Sequence, residues 1–229
     1  MSVHRKNIMA KTAQRYVDAG TFSGIEWQVQ HRGALCHSGS VGRAGCDSSA
    51  PIPDQAIYRI YSMTKPIVAA MAVILLQENR LHLFDPVANF ISEFKDPIIL
   101  HPDGTREKAT VPITIEHLLT HRAGLSYDFL PDCPVGALYR EARLAEDGGR
   151  SLTDFVNDLA AMPLAFNPGS RWQYSCSIDV LARVIEIVTG EAIGAVLDRY
   201  LFAPLGMRDT RFFVKPEDID RLMPMHGAT

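Results

Sequence analysis

The chain has 229 residues, enough for one large domain or for two lobes. Its 23 basic and 26 acidic residues leave a net charge of −3, which gives nucleic acid or an anionic membrane surface no electrostatic foothold. A hydrophobic fraction of 47% belongs to a globular rather than a disordered chain.

Lys6 to Ala19 has helical character and stops at Gly20. Ile25 to Gln30 and Ala34 to Gly39 read as two strands joined through His31-Arg32-Gly33, with Gly33 supplying the permissive backbone of a hairpin turn. Ile25, Trp27 and Val29 alternate with Glu26, Gln28 and Gln30, so one face of the first strand is expected to be covered. Tyr58 to Tyr61, aromatic and β-branched, predicts a third strand. Ile67 to Leu76 is apolar on every side, as in a helix buried mid-domain, yet far too short to span a bilayer.

Beyond Asp85 the signals are mostly helix and loop. His101-Pro102-Asp103-Gly104 is a turn, and Val111 to Ile113 is the expected antiparallel partner of Ile98 to Leu100. Thr114 can cap a short helix holding Ile115, Leu118 and Leu119, with Gly124 as its stop. Ser151-Leu152-Thr153-Asp154 resembles a capping box that opens a helix to about Ala161. Leu181, Val184, Ile185 and Val188 fall at i, i+3, i+4 and i+7 with Gly190 as C-cap, and Ile193, Val196, Leu197, Tyr200 and Leu201 repeat the spacing.

Two short segments carry chemistry. Ser62 and Lys65, in Tyr61-Ser62-Met63-Thr64-Lys65-Pro66, stand three apart at a strand-to-helix junction, so a helix would put both on one face. A hydroxyl at the positive end of a helix with an amine in reach is an activated nucleophile in outline. Tyr174, in Trp172-Gln173-Tyr174-Ser175-Cys176-Ser177, follows the turn Asn167-Pro168-Gly169 and precedes an amphipathic helix. Its phenol would act as a base if nearby positive charge lowered its pKa from about 10, and Lys65 is the available cation. Alternatively a desolvated, neutral Lys65 is itself the base. His117 and His121, four apart, lack the glutamate that zincin chemistry needs, and helix packing and capping is the expected use of both. Cys176 reads as a small buried side chain rather than a nucleophile.

Ser62-Met63-Thr64-Lys65, then Thr114 to Leu125 with its Leu118-Leu119-Thr120-His121-Arg122-Ala123-Gly124-Leu125, then Trp172-Gln173-Tyr174-Ser175, resemble the serine β-lactamase-related family in order and spacing. The likeness runs from about Gly24 to Met207, and its nearest branches are class C β-lactamases and family VIII carboxylesterases. The resemblance implies an α/β (α+β) fold, β-lactamase-like, with an antiparallel sheet element, a helical lobe and the site between them. It also implies Ser62 as the acylated nucleophile, Lys65 and Tyr174 as proton-transfer partners, and backbone N–H groups, one from Ser62, around the oxyanion. Tyr127 matches a pocket-lining position of the esterase branch. Cys176 stands where the lactamases usually carry an amide-binding Asn and offers only a weak donor and acceptor, so it favours an ester over a β-lactam.

The family's later Lys-Thr-Gly-like motif does not occur, and Met225-His226-Gly227-Ala228 stands too close to the helical lobe to substitute. Residues 1–61 are therefore expected to form an N-terminal helix and strands, and 62–229 the nucleophile helix and helical lobe, with the family's C-terminal strands absent. A C-terminal fragment or second chain would complete the fold. The expected activity is a serine hydrolase, a carboxylesterase that cleaves small-molecule esters through an acyl-enzyme, without cofactor or metal. The alternatives are a β-lactam or D-peptide hydrolase, or a catalytically inactive binding homologue. Cys36, Cys46, Cys133 and Cys176 lack Cys-x-x-Cys spacing and Met1 to Lys11 lacks a signal-peptide core, which points to a reduced, cytoplasmic protein. A Cys36–Cys46 bridge is the alternative for a secreted chain.

Overall fold

The computed structural model describes residues 3–146 and 149–226, and these separate into two units, one of the described residues up to 60 and from 211 onward, the other of those within 61–210. In the first unit, helix α1 (Val3–Asp18) precedes strands β1 (Gly24–His31) and β2 (Ala34–Gly42). The strands pair antiparallel from Gly24↔Gly42 to His31↔Ala34, with a bulge between Val29 and Gln30. Both turn residues, Arg32 (φ +51°) and Gly33 (φ +78°), are left-handed, the conformation whose twist suits a two-residue hairpin. Ile25, Trp27 and Val29 are half-buried while Glu26, Gln28 and Gln30 are exposed, so the alternation appears as expected.

The third strand does not form. Ile57 makes a single parallel bridge to Leu222, its N–H donating to Arg221 O (2.8 Å) while Met223 N–H donates to its carbonyl (2.9 Å). Tyr58 instead turns its hydroxyl to Glu26 Oε2 (2.8 Å), and burial, then the Glu26 carboxylate, push that phenol up to about 12. Strand propensity in Tyr58 to Tyr61 found no backbone to ladder against, and a strand is stable only when paired. His226 accepts from Cys46 N–H (3.2 Å) within this unit, while Gly227 and Ala228 lie outside the described residues. All four cysteines are free.

The second unit is built around α6 (Ser177–Thr189), which packs against α2 (Thr64–Gln77), α3 (Ile115–Leu119), α5 (Leu152–Ala160) and α7 (Ile193–Leu197). Leu181, Val184 and Ile185 of α6 are fully buried with Met71 and Leu75 of α2, Leu118 of α3 and Leu159 of α5. The 3.6-residue spacing of its apolar positions creates the stripe, and Gly190 at φ +75° ends the helix where a Cβ would be strained. Helix α2 is less enclosed than its composition suggests: Val68, Met71, Ala72 and Leu75 are buried, but Val73 is 46% exposed.

Three further boundaries differ from expectation. β3 (Ile98–Leu100) pairs with β4 (Arg106–Lys108) rather than with Val111 to Ile113, because the turn closes at once through His101 N–H to Thr105 O (2.9 Å). An antiparallel pair joined by the shortest loop pays least loop entropy. Helix α3 stops at Leu119, five residues before Gly124, and the left-handed residue behind it is His121. After α7 the spacing widens into a π-helical turn, Asp198–Phe202, and a short α8 (Ala203–Leu205), so the second apolar series is not one α-helix. Helix α4 (Pro134–Glu141), with Pro at its first position, went unanticipated. The whole is a mixed α/β arrangement of helices and two small antiparallel sheets.

Candidate active site

Ser62 lies in a single 3₁₀ turn, Tyr61–Met63, that runs directly into α2. Tyr61 holds φ +42°, a conformation costly for a bulky aromatic residue and so an observed strain immediately before the serine. The turn leaves Ser62 exposed and brings Lys65, one helical turn on, to its side: Lys65 Nζ donates to Ser62 Oγ at 3.1 Å. Tyr174 reaches the same oxygen from the connection before α6, its hydroxyl donating at 2.6 Å. Ser62 Oγ thus sits between an amine and a phenol.

The electrostatics follow from that placement. Burial pushes the Tyr174 phenol up, but its bond to Ser62 and the Lys65 ammonium outweigh it and bring the phenol below its ordinary value. Lys65 Nζ lies 4.9 Å from the Tyr174 ring centroid and 5.4 Å from that of Tyr127, over both π-faces. Tyr127 stacks on Phe129 (4.8 Å) and touches Tyr174 (5.2 Å); burial, then the Asp179 charge, drive its phenol far up, so it stays neutral. The structure therefore brings Tyr127 against the serine–lysine–tyrosine cluster.

Cys176 occupies the N-cap position of α6, 5% exposed, with its N–H donating to Ser126 O (3.2 Å). Burial, reinforced by Asp179, raises its thiol well above the ordinary value, so it stands neutral as a small buried side chain. Beside Tyr174 a cavity of about 410 Å³ opens, walled by Leu100, Leu130, Cys133, Ala165 and Trp172 among others.

Two groups escaped the sequence reading. Asp179, in the first turn of α6, is pushed up by burial while the Lys65 charge pulls it down, so it lies within that lysine's electrostatic reach. An acidic residue in the first turn of an amphipathic helix, five after the tyrosine, is a signal that looks like ordinary helix-dipole pairing. His121 was grouped with His117, but the structure separates them. His117 completes a capping box with Thr114: its N–H donates to Thr114 Oγ1 and its Nδ1 accepts from Thr114 N–H, both at 3.3 Å. His121 instead lies against Tyr174, with ring centroids 5.0 Å apart. Among the described residues, no group of three or more His, Cys, Asp or Glu is arranged to hold a metal ion, and no helix is long and apolar enough to cross a membrane.

A helical unit built on α6, small antiparallel sheets, and a serine at the head of α2 meeting a lysine and a tyrosine together define a β-lactamase-like fold. The Beta-lactamase family model matches residues 9–229, and the chain belongs to that family. It is 36% identical over 205 residues to Esterase EstB of Burkholderia gladioli, covering 87% of this chain and 49% of that protein. Among solved structures, EstCE1, described as a hydrolase with promiscuous acyltransferase activity, superposes with a TM-score of 0.80 at 30% identity over 93% of this chain and 54% of that one. Unliganded simvastatin synthase LovD from Aspergillus terreus shares the fold at a TM-score of 0.79 and 24% identity, over 97% of this chain and 58% of its own. The chain spans about half the length of the curated relatives it matches.

Proposed function

We propose that this chain carries the nucleophile of a serine hydrolase that cleaves small carboxylic esters through a covalent acyl-enzyme on Ser62. The observation that carries the proposal is the double hydrogen bonding of Ser62 Oγ, to Lys65 Nζ at 3.1 Å and Tyr174 OH at 2.6 Å. A serine hydroxyl is a weak nucleophile until a neighbour removes its proton, and both candidates are in direct reach. The lowered Tyr174 phenol favours a tyrosinate base held by the Lys65 charge. Ser62 Oγ would attack the ester carbonyl carbon as its proton passes to Tyr174. The tetrahedral intermediate would then collapse by breaking the bond to the alcohol oxygen, which takes that proton as it leaves. Water, deprotonated by the same group, would release the acid and restore Ser62.

The cavity beside Tyr174 gives room for an ester substituent next to the proton donor. Tyr127 would wall the pocket, and Cys176 in place of an amide-bearing Asn favours esters over β-lactams. The esterase name of EstB, at 36% identity, supports the substrate class. The hydrolase and acyltransferase description of EstCE1 supports an acyl-enzyme that an alcohol could also intercept. The greater length of both relatives supports a further segment that supplies sheet strands and a second oxyanion donor. Free cysteines favour a reducing compartment such as the cytoplasm.

The test is labelling with a fluorophosphonate, which phosphonylates an activated serine. Intact-mass and peptide analysis should put one adduct on Ser62, and Ser62→Ala should abolish it while shifting thermal unfolding by only about a few degrees, since an exposed hydroxyl contributes little to packing. An adduct on another residue, or none on the folded protein, would overturn the proposal.

A further inference from the structure

Helix α3 ends in a Schellman motif whose left-handed position is filled by a histidine. His121 N–H donates to Leu118 O (3.3 Å) and Arg122 N–H to His117 O (2.8 Å), the two reverse bonds that close such an end. The left-handed residue, at φ +56°, would ordinarily be glycine, which takes that conformation without steric penalty. Histidine tolerates that conformation better than most side chains, and other non-glycine residues here, Arg32 and Asn79 among them, also adopt it, so what sets His121 apart is what its side chain meets.

That side chain and its own backbone both grip the connection that carries Tyr174. The His121 carbonyl accepts from Gln173 N–H at 2.9 Å. Its Nδ1 meets Ser175 Oγ at 3.3 Å, and Ser175 Oγ meets Ser177 Oγ at 2.7 Å. Ser175 is 1% exposed and Ser177 fully buried, so these hydroxyls have one another and the imidazole to bond, in place of water. The ring packs on Tyr174 at 5.0 Å and edge-on to Trp172 at 6.3 Å. Tyr174, itself only half-buried, has the His121 and Tyr127 rings as its aromatic supports.

We propose that His121 is a positioning residue for Tyr174: anchored by the buried Ser175–Ser177 pair, its ring holds the phenol at Ser62. The inference rests on the proposed function for its catalytic meaning but on geometry for its substance. The Lys65 charge, from α2, reaches the imidazole, the Tyr174 ring lies 5.0 Å from it, and Asp179, from α6, acts on Tyr174 and feels the Lys65 charge in turn. Burial, then the Lys65 charge, keep the imidazole neutral, so it supports Tyr174 without placing a second cation there. Without this support the phenol would sample positions away from Ser62 and Lys65, and the bonds that favour its ionised form would weaken.

The experiment compares His121→Gly, which relaxes the left-handed backbone, with Ser175→Ala, which leaves that backbone intact and removes only the anchor. The phenol of Tyr174 is titrated by NMR of ring-labelled tyrosine, with Tyr174→Phe assigning the signal. In the parent it should titrate below, and in His121→Gly close to, the ordinary value of about 10, with Ser175→Ala between. Phosphonylation of Ser62 should slow by about 10- to 100-fold in His121→Gly and less in Ser175→Ala, with KM for a nitrophenyl ester unchanged. An unshifted Tyr174 titration in folded variants overturns the inference whether or not Ser62 reacts. A shifted titration with an unreactive parent Ser62 supports it and instead sinks the esterase proposal.

Discussion

Replacing Tyr174 by phenylalanine isolates the chemistry at Ser62, because it deletes one hydroxyl and keeps the ring between His121 (5.0 Å) and Tyr127 (5.2 Å). The lost bond to Ser62 involves an exposed serine, where water can replace the phenol, so stability should change by only about 1 kcal/mol. For a chain of this size that moves the unfolding midpoint by about 2–4 °C. The kinetic loss should be far larger. A positioned proton-transfer group contributes about 10²- to 10⁴-fold, which at 1.36 kcal/mol per decade is about 3–5 kcal/mol of barrier. A phenol base works ionised, so the parent rate should rise with pH through the Tyr174 pKa. That pKa lies below the ordinary value because the Ser62 bond and the Lys65 charge outweigh burial. In Tyr174→Phe the rising limb should vanish. Burst kinetics with a nitrophenyl ester, followed by intact mass of the acyl-enzyme across pH, measures both quantities. Combined with Lys65→Ala, the losses should fall short of additive, since the two groups share one proton path. A Tyr174→Phe rate within about threefold of the parent, with the limb intact, would refute the assignment of Tyr174 as base and leave Lys65 in that role.

Gly124→Ala should destabilise the second unit by about 1–3 kcal/mol. The added Cβ would sit 2.5 Å from Phe166 O at a backbone φ of +86°, and calorimetry of the folded protein checks the loss. Short-chain aryl esters should be turned over well ahead of β-lactams, because the buried, neutral Cys176 thiol cannot replace an amide's paired hydrogen bonds. Equal efficiency on a nitrophenyl acetate and a chromogenic cephalosporin would contradict it.

Local physics in the sequence determined much of this protein. The hairpin at Arg32-Gly33, the caps at Thr114, Ser151 and Gly190, and the apolar stripe of α6 are each written within a few residues. The Ser62–Lys65 contact belongs to the same class, since three residues make one turn and the spacing alone brings the two groups together. Tyr174 lies 112 residues away, and only the resemblance of its motif to a known family, not its spacing, attached it to Ser62. The tertiary structure decided the rest. The Tyr58 to Tyr61 strand failed because strand propensity needs a paired neighbour that local sequence cannot supply. His121 was illegible because its partners, Ser175 and Tyr174, are more than fifty residues away and its left-handed backbone carries no glycine to announce it. Asp179 is not singled out by the sequence, because an acid in the first turn of a helix has an ordinary helix-dipole use, and only the packing of α6 on α2 brings it into the field of Lys65. Short-range steric and hydrogen-bond preferences shape the elements, whereas the charges and rings that meet at Ser62 are assembled by burial of the α2–α6 interface.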